Sequence, residues 1–395
     1  MNLSKRAQRL EPSVTLSSAA KANELKAQGV DVLNLSLGQP DFVTPKNIQQ
    51  AAIQSIENGK ASFYVASAGI PELKKAIIQR TKEDFGFEYQ MNEVVVSEGA
   101  KFALYTLFQV LLDAGDEVIV PSPYWVSYSE QIKLAEGVPV FLEAKESNGF
   151  KTTVADLEQV RTDKTKLLVI NSPSNPTGAL YTQEELEAIG EWAVQHDVHI
   201  IADEIYGKLV YNGNRFVSFI ELSDEIRRQC FVVNGVSKAY SMTGWRIGYI
   251  LGNKEVIKAI ADLNSQSISN CAAVSQYAAV EALAGPQDSV EEMRRTFEER
   301  LNRVYPQVAA LPGVSLEKPP SAFYLYPNVR ETLTMCGYEN VTDFVNDLLT
   351  EAHVAVVTGE GFGTSDHIRL SYAADIETIE RGVERIKNFI DKKRQ

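Results

Sequence analysis

Seven short runs of β-branched and aliphatic residues, each closing on a small or turn-forming residue, punctuate the middle of this chain. They are Val94–Ser97, Glu117–Val120, Val138–Leu142, Leu167–Asn171, His199–Asp203, Phe231–Asn234 and Ile247–Leu251. Between several of them the apolar period lengthens to that of a helix. Thr182-Gln-Glu-Glu185 is a capping box, in which Thr182 accepts from a backbone N–H and Glu185 reaches back. The helix it starts places Leu186, Ile189, Trp192 and Ala193 on one face. Strand and helix in alternation predict an α/β fold with a mainly parallel sheet and helices on both faces.

The two ends of the chain read differently. From about Ala282 a long charged helix pattern, Ser289–Val308, leads through Pro312-Gly313 and Pro319-Pro320 to short strands at Ala322–Tyr326, Val354–Val357 and Ile368–Tyr372. The first 45 residues hold a helix pattern ending at Gly29, a strand at Val32–Leu37 and the turn Gly38-Gln-Pro-Asp41. The expectation is a large domain over 46–287 and a smaller α+β domain made from 1–45 and 288–395. No internal repeat or low-complexity tract interrupts either part.

Composition narrows the partners. The 395 residues carry 39 Lys+Arg against 52 Asp+Glu, a net charge of −13, which repels phosphate backbones and argues against nucleic acid as a partner. Cys230, Cys271 and Cys336 are widely spaced, so neither a disulfide framework nor a metal site is expected. The polar, basic start carries no secretory pattern, and no apolar run approaches the roughly 20 residues that span a bilayer. The expected compartment is the cytoplasm, with no membrane partner.

Four constellations carry chemistry, and all sit at predicted strand ends. In Asn234-Gly-Val-Ser-Lys238 small residues crowd one lysine, and Arg246 follows eight positions later. A lysine so placed loses hydration, which disfavours its ammonium form and frees an amine able to condense with a carbonyl. In Ala202-Asp203-Glu-Ile-Tyr206 a strand ends in a carboxylate, with a phenol three residues on. In a poorly solvated crevice such an acid stays ionised only opposite a cation. Asn171-Ser-Pro-Ser-Asn175-Pro-Thr-Gly178 is a turn that presents Asn175 to the same crevice. Ser97-Glu-Gly-Ala-Lys101 opens a helix whose first N–H groups suit a phosphate. Each is commonplace alone: a loop lysine, a helix-capping Asp, a turn, a helix start. Together they are the parts that hold pyridoxal phosphate, an aldehyde with a phosphate tail and a protonatable ring nitrogen.

These motifs occur in an order that resembles the class I/II aminotransferases of fold type I, in particular the bacterial aspartate aminotransferase branch. The resemblance runs from about Pro12 to the C-terminal helix. It rests on the Gly38-Gln-Pro-Asp-Phe turn, Tyr64 ahead of Gly69-Ile-Pro-Glu, Pro123-Tyr-Trp125, Asn175-Pro-Thr-Gly, Asp203-Glu-Ile-Tyr206, Ser237-Lys238 with Arg246, and Arg369 in Ile-Arg-Leu-Ser. It implies that Lys238 bonds the cofactor aldehyde and later shuttles the substrate proton. It implies Asp203 at the ring nitrogen, Tyr206 at the phenolic oxygen and Trp125 on the ring face. Arg246 with Ala100, Lys101 and Ser237 would hold the phosphate, and Tyr64 would reach the phosphate in a partner subunit, making a homodimer with shared sites. Arg369, helped by Asn175 and Gly38, would clamp the substrate α-carboxylate, while Lys101 and Thr15 would read its side chain. The implied reaction passes the amino group of L-aspartate, or a related amino acid, to 2-oxoglutarate.

The same skeleton is compatible with aminotransferases for aromatic amino acids, prephenate or a diaminopimelate-pathway substrate, and with a C–S lyase. A nicotinamide dehydrogenase is disfavoured, since Gly359-Glu-Gly-Phe-Gly363 lacks the following helix and acidic residue of a dinucleotide fingerprint. One departure stands out: many relatives carry Ser three residues before the lysine, where this chain has Gly235. The expectation is a lost phosphate contact and slightly weaker cofactor binding.

Overall fold

The computed structural model describes residues 2–11 and 14–395, the side chains of residues 14–16 lying outside that description. In chain order, β1 (Leu33–Asn34) is followed by the seven strands of a central sheet. These are β2 (Val94–Ser97), β3 (Glu117–Ser122), β4 (Val138–Glu143), β5 (Thr165–Asn171), β6 (His199–Asp203), β7 (Cys230–Gly235) and β8 (Gly248–Leu251). Their spatial order is β2-β8-β7-β6-β5-β3-β4. The pairs from β4 across to β7 are parallel, and β8 runs antiparallel to both β7 and β2. The β7–β8 connection holds only a 3-10 turn at Thr243–Trp245, so the chain returns without a helical crossover. That return puts the residues before β8 and those after β7 at the same sheet edge.

Alternation along the strands explains the two covered faces. Val94, Val96, Leu168, Ile170, Ile200 and Ala202 belong to one apolar cluster, into which the helices Pro71–Phe85, Gln183–Gln195 and Ala273–Ala284 also pack. Val95, Leu167, Val169 and Ile201 point the other way, toward the helices Gly99–Leu111, Ser127–Leu134 and Lys254–Ser267. The capping box at Thr182 is formed in both directions, and its helix buries Leu186, Ile189, Trp192 and Ala193.

A third large cluster gathers around a small antiparallel sheet. Its strands are β9 (Tyr324–Leu325), β11 (Val357–Thr358) and β12 (Ile368–Ser371), ordered β11-β12-β9, while β10 (Val354–Ala355) pairs with β1 in parallel. The helix Asp288–Ala309 buries Phe297, Leu301 and Val304 there, and the helix Ile376–Lys393 adds Ile379, Val383 and Ile386. Leu35 from the N-terminal segment joins the same core. These strands are shorter than the apolar runs that announced them. Residues 322–326 are all buried, yet only Tyr324 and Leu325 pair, because Ala322 adopts φ +61° and turns the chain. Among the described residues no helix is long and apolar enough to cross a membrane.

Candidate active site

The carboxyl ends of β2, β5, β6 and β7 converge on a cavity of about 350 Å³. Asn171 and Asn175, Asp203 and Tyr206, and Ser237, Lys238 and Arg246 line it from the central sheet, with Ala100, Lys101 and Trp125 beside them. Gly38 and Arg369 enter from the other side, so residues from opposite ends of the chain share one space. Of the residues singled out from sequence, two are not in this group. Tyr64 is 89% exposed and does not line the cavity of its own chain. The side chain of Thr15 lies outside the described residues, although Ala19, one turn further along its helix, does line the cavity.

Lys238 follows β7 and donates from Nζ to the Gly38 carbonyl at 2.6 Å. Burial in the cavity, then the positive charges of Arg369 and Arg246, bring its pKa from 10.5 to about 7, despite the opposing pull of Asp203. Asp203 ends β6 and is 3% exposed. Its Oδ2 accepts from the Tyr128 hydroxyl at 2.7 Å and its Oδ1 from the Ile205 N–H at 3.3 Å. Burial raises its pKa from 3.8 to about 6, against the pull of Tyr128, the Ile205 N–H and Lys238. The Tyr206 hydroxyl shares a hydrogen bond of 2.9 Å with that of Tyr324.

Arg369, on β12, is almost wholly buried. It donates from Nη1 to Asn175 Oδ1 at 2.9 Å and from Nη2 to the Ser36 carbonyl at 2.8 Å, with its guanidinium 4.4 Å from the Tyr324 ring. Its Nε is buried without a hydrogen-bond partner among the described residues. Asn175 is itself held by its N–H donating to Asn171 Oδ1 at 2.8 Å. Arg246 adopts φ +57° and donates to the carbonyls of Thr243 at 2.9 Å and Glu98 at 3.2 Å. It lies across Gly99, whose φ of +77° favours glycine and whose missing Cβ leaves room for the guanidinium. Lys101, at the cavity mouth, rests its ammonium 4.9 Å from the centre of Trp125, and partial desolvation with the Arg246 charge lowers its pKa.

Gly235 has a steric reason that the sequence did not reveal. It pairs with Gly248 across β7 and β8, and a Cβ there would lie 2.8 Å from the Ile247 carbonyl oxygen and 2.9 Å from Gly248 Cα. The strands approach too closely for serine; glycine here is a packing requirement. Two tyrosines of the site escaped the sequence reading, Tyr128 and Tyr324. Tyr128 stands three residues after Trp125, across the turn that leads into the helix, where its N–H donates to the Trp125 carbonyl at 3.1 Å and their rings meet edge-on at 5.4 Å. Tyr324 had no such signal.

The family model described as Aminotransferase class I and II matches residues 30–386. A relative named asparagine–oxo-acid transaminase, from Streptococcus mutans serotype c, is 54% identical over 99% of both chains. The aspartate aminotransferase of Geobacillus stearothermophilus is 53% identical, again over 99% of both. Among solved structures, the aspartate aminotransferase from Rhizobium meliloti superposes with a TM-score of 0.93 at 38% identity, covering 99% of each chain. That from Thermus thermophilus with maleate gives 0.93 at 40% identity, over 98% of this chain and 99% of its own.

Proposed function

The chain belongs to the class I and II aminotransferases, and on that premise we propose that it transfers the amino group of L-aspartate, or a closely related amino acid, to 2-oxoglutarate, with pyridoxal 5'-phosphate as cofactor. One observation carries this reading: an amine, Lys238, lines the same cavity as a buried carboxylate, Asp203, where burial disfavours the charged form of each.

The residues suit that cofactor. A buried acid needs a cation for company, and a protonated ring nitrogen supplies one. The glycine at position 99 leaves the Arg246 guanidinium beside the first N–H groups of a helix, a setting for a phosphate. Asp203 would take the ring nitrogen, Tyr206 the phenolic oxygen and Trp125 the ring face. Arg246, Ser237 and the N–H groups of Ala100 and Lys101 would take the phosphate, joined by Tyr64 of the partner subunit. Bound there, pyridoxal phosphate supplies an electron sink that makes the proton on the substrate α-carbon labile.

The chain's own groups do the rest. Arg369 receives the α-carboxylate; Asn175 and Ser36 fix the plane of its fork, and lysine offers no such geometry. Lys238, its ammonium form disfavoured by burial, would hold the cofactor through its aldehyde and would hold and move the proton of the substrate α-carbon. The Gly38 carbonyl that accepts from Nζ keeps the amine in place meanwhile. Lys101 at the mouth reads the distal carboxylate. Its single ammonium also donates to an amide carbonyl, which favours asparagine as a second donor, in keeping with the name of the 54% identical relative. The N-terminal helix that carries Thr15 borders this side of the cavity through Ala19.

We also propose the two-domain division at 46–287 and at 1–45 with 288–395. One core runs from Ile48 to Val290, and the other takes Leu35 together with residues from Met293 onward, joined by the loop after β6. A cytoplasmic homodimer completes the reading, supported by the exposed Val43, Phe63 and Tyr64, whose exposures are 80%, 76% and 89%. The test is a panel of single-turnover half-reactions with the purified holoenzyme. Aspartate, glutamate and asparagine should convert the cofactor fastest, and Lys101→Met should slow aspartate by about tenfold or more. Faster reaction with aromatic amino acids, or pyruvate release without an oxo acid, would contradict it.

A further inference from the structure

The helix Ser127–Leu134 packs beneath the central sheet and delivers Tyr128, 1% exposed, to the end of β6. Its hydroxyl meets Asp203 Oδ2 at 2.7 Å, a separation typical of a charge-assisted O–H···O bond. The direction follows from chemistry, since an ionised carboxylate has no proton to give and the phenol must donate. Among the described residues, Oδ1 accepts a hydrogen bond only from the Ile205 N–H, at 3.3 Å.

We propose that Tyr128 is a positioning residue for ring recognition: by occupying Oδ2 it keeps Asp203 charged and correctly turned, and so selects a heterocycle that carries a protonated nitrogen. This rests on the placement of Asp203 at the ring nitrogen argued above. The groups around the carboxylate leave the phenol as its main support. Burial works against the charge, and the hydroxyl is the largest counterweight, ahead of the Ile205 N–H and the Lys238 charge. Glu204, next in the chain, turns away to Ser218 and Phe219, and the Tyr206 hydroxyl is engaged with Tyr324. Without the Tyr128 oxygen, Asp203 takes up a proton more readily and loses its hold on a ring cation. The ring of Tyr128 also stands at 84° to Trp125, so phenylalanine keeps that contact and isolates the oxygen.

The experiment measures equilibrium binding of pyridoxal phosphate and of its 1-deaza analogue, which has CH in place of the ring nitrogen, to wild type, Tyr128→Phe, Asp203→Asn and the double variant. Wild type should prefer the nitrogen ring. Tyr128→Phe should cut that preference about tenfold while leaving the deaza affinity within about twofold. In the Asp203→Asn background it should change nothing further. The isosteric 3-fluorotyrosine at position 128, a stronger donor, should increase the preference. Equal weakening of both ligands, or an unchanged preference with Phe and with fluorotyrosine, would overturn the role of Tyr128. A wild-type protein indifferent to the ring nitrogen would instead bring down the placement of Asp203, and the proposal with it.

Discussion

Asp203 and Glu204 are neighbours at the end of β6, buried alike, and they illustrate two fates for a carboxyl group at one sheet edge. Asp203 faces the cavity. There Tyr128 donates to it, Lys238 stands nearby, and its pKa stops at about 6. Glu204 faces the opposite side, where Ser218 donates to Oε2 at 2.7 Å and the Phe219 N–H to Oε1 at 3.0 Å. Glu221 and Asp203 add negative charge to the effect of burial, and its pKa rises to about 8. Equal burial therefore yields an acid poised to ionise on the cavity side and one held neutral at pH 7 behind it. What separates function from structure here is the sign of the neighbours.

Substitution at the two positions breaks the comparison most sharply. Asp203→Asn should lower kcat by about 10²–10³-fold, since a neutral amide no longer holds a ring cation. Glu204→Gln should leave kcat within about threefold, because that carboxyl is hydrogen-bonded to the Ser218 turn, away from the cavity. Comparable losses in steady-state assays of both variants would dissolve the distinction. Next in size is Arg369→Lys, which swaps a fixed fork for a point charge and should raise KM for amino acids about 10- to 100-fold with a smaller change in kcat. An unchanged KM would remove Arg369 from the substrate site.

The pH dependence of stability sharpens the contrast further. A folded-state pKa for Glu204 raised from 4.5 to about 8 means that the folded chain binds the extra proton. The stabilisation is full below pH 4.5 and is lost as pH rises through 8. Melting curves from pH 5 to 9 should therefore fall more steeply for wild type than for Glu204→Gln. Parallel curves would contradict a neutral Glu204. The smallest effect concerns the next strand: Gly235→Ser should lower Tm by a few degrees through overpacking of about 1–3 kcal/mol, with no gain in cofactor affinity. Tighter cofactor binding at an unchanged Tm would restore the view that glycine there costs a phosphate contact.

Much of this site was legible because strand ends are. β-branched runs ending at Asp203 and Asn171, and before Lys238, mark where an open α/β sheet presents side chains to a ligand, so Lys238, Asp203 and Asn175 could be singled out from residue type and place. Arg369 was legible only through the resemblance, since its strand of four residues sits in a mixed region with no positional rule. The strands of the small antiparallel sheet were overdrawn because an apolar run reports burial, and around Ala322 burial and pairing part company. Tyr128 and Tyr324 depend on partners 75 and 118 residues away, and no local pattern encodes such a meeting. The steric reason for Gly235 was hidden for a related reason: the closeness of β8 is a property of two strands together.

Covalent attachment of the cofactor is the most direct test of the account. Borohydride reduction of the holoenzyme, followed by proteolysis and mass mapping, should place a single pyridoxyl group on Lys238. A label on any other lysine, or no label in protein that has bound the cofactor, would contradict the assignment of the amine at the end of β7.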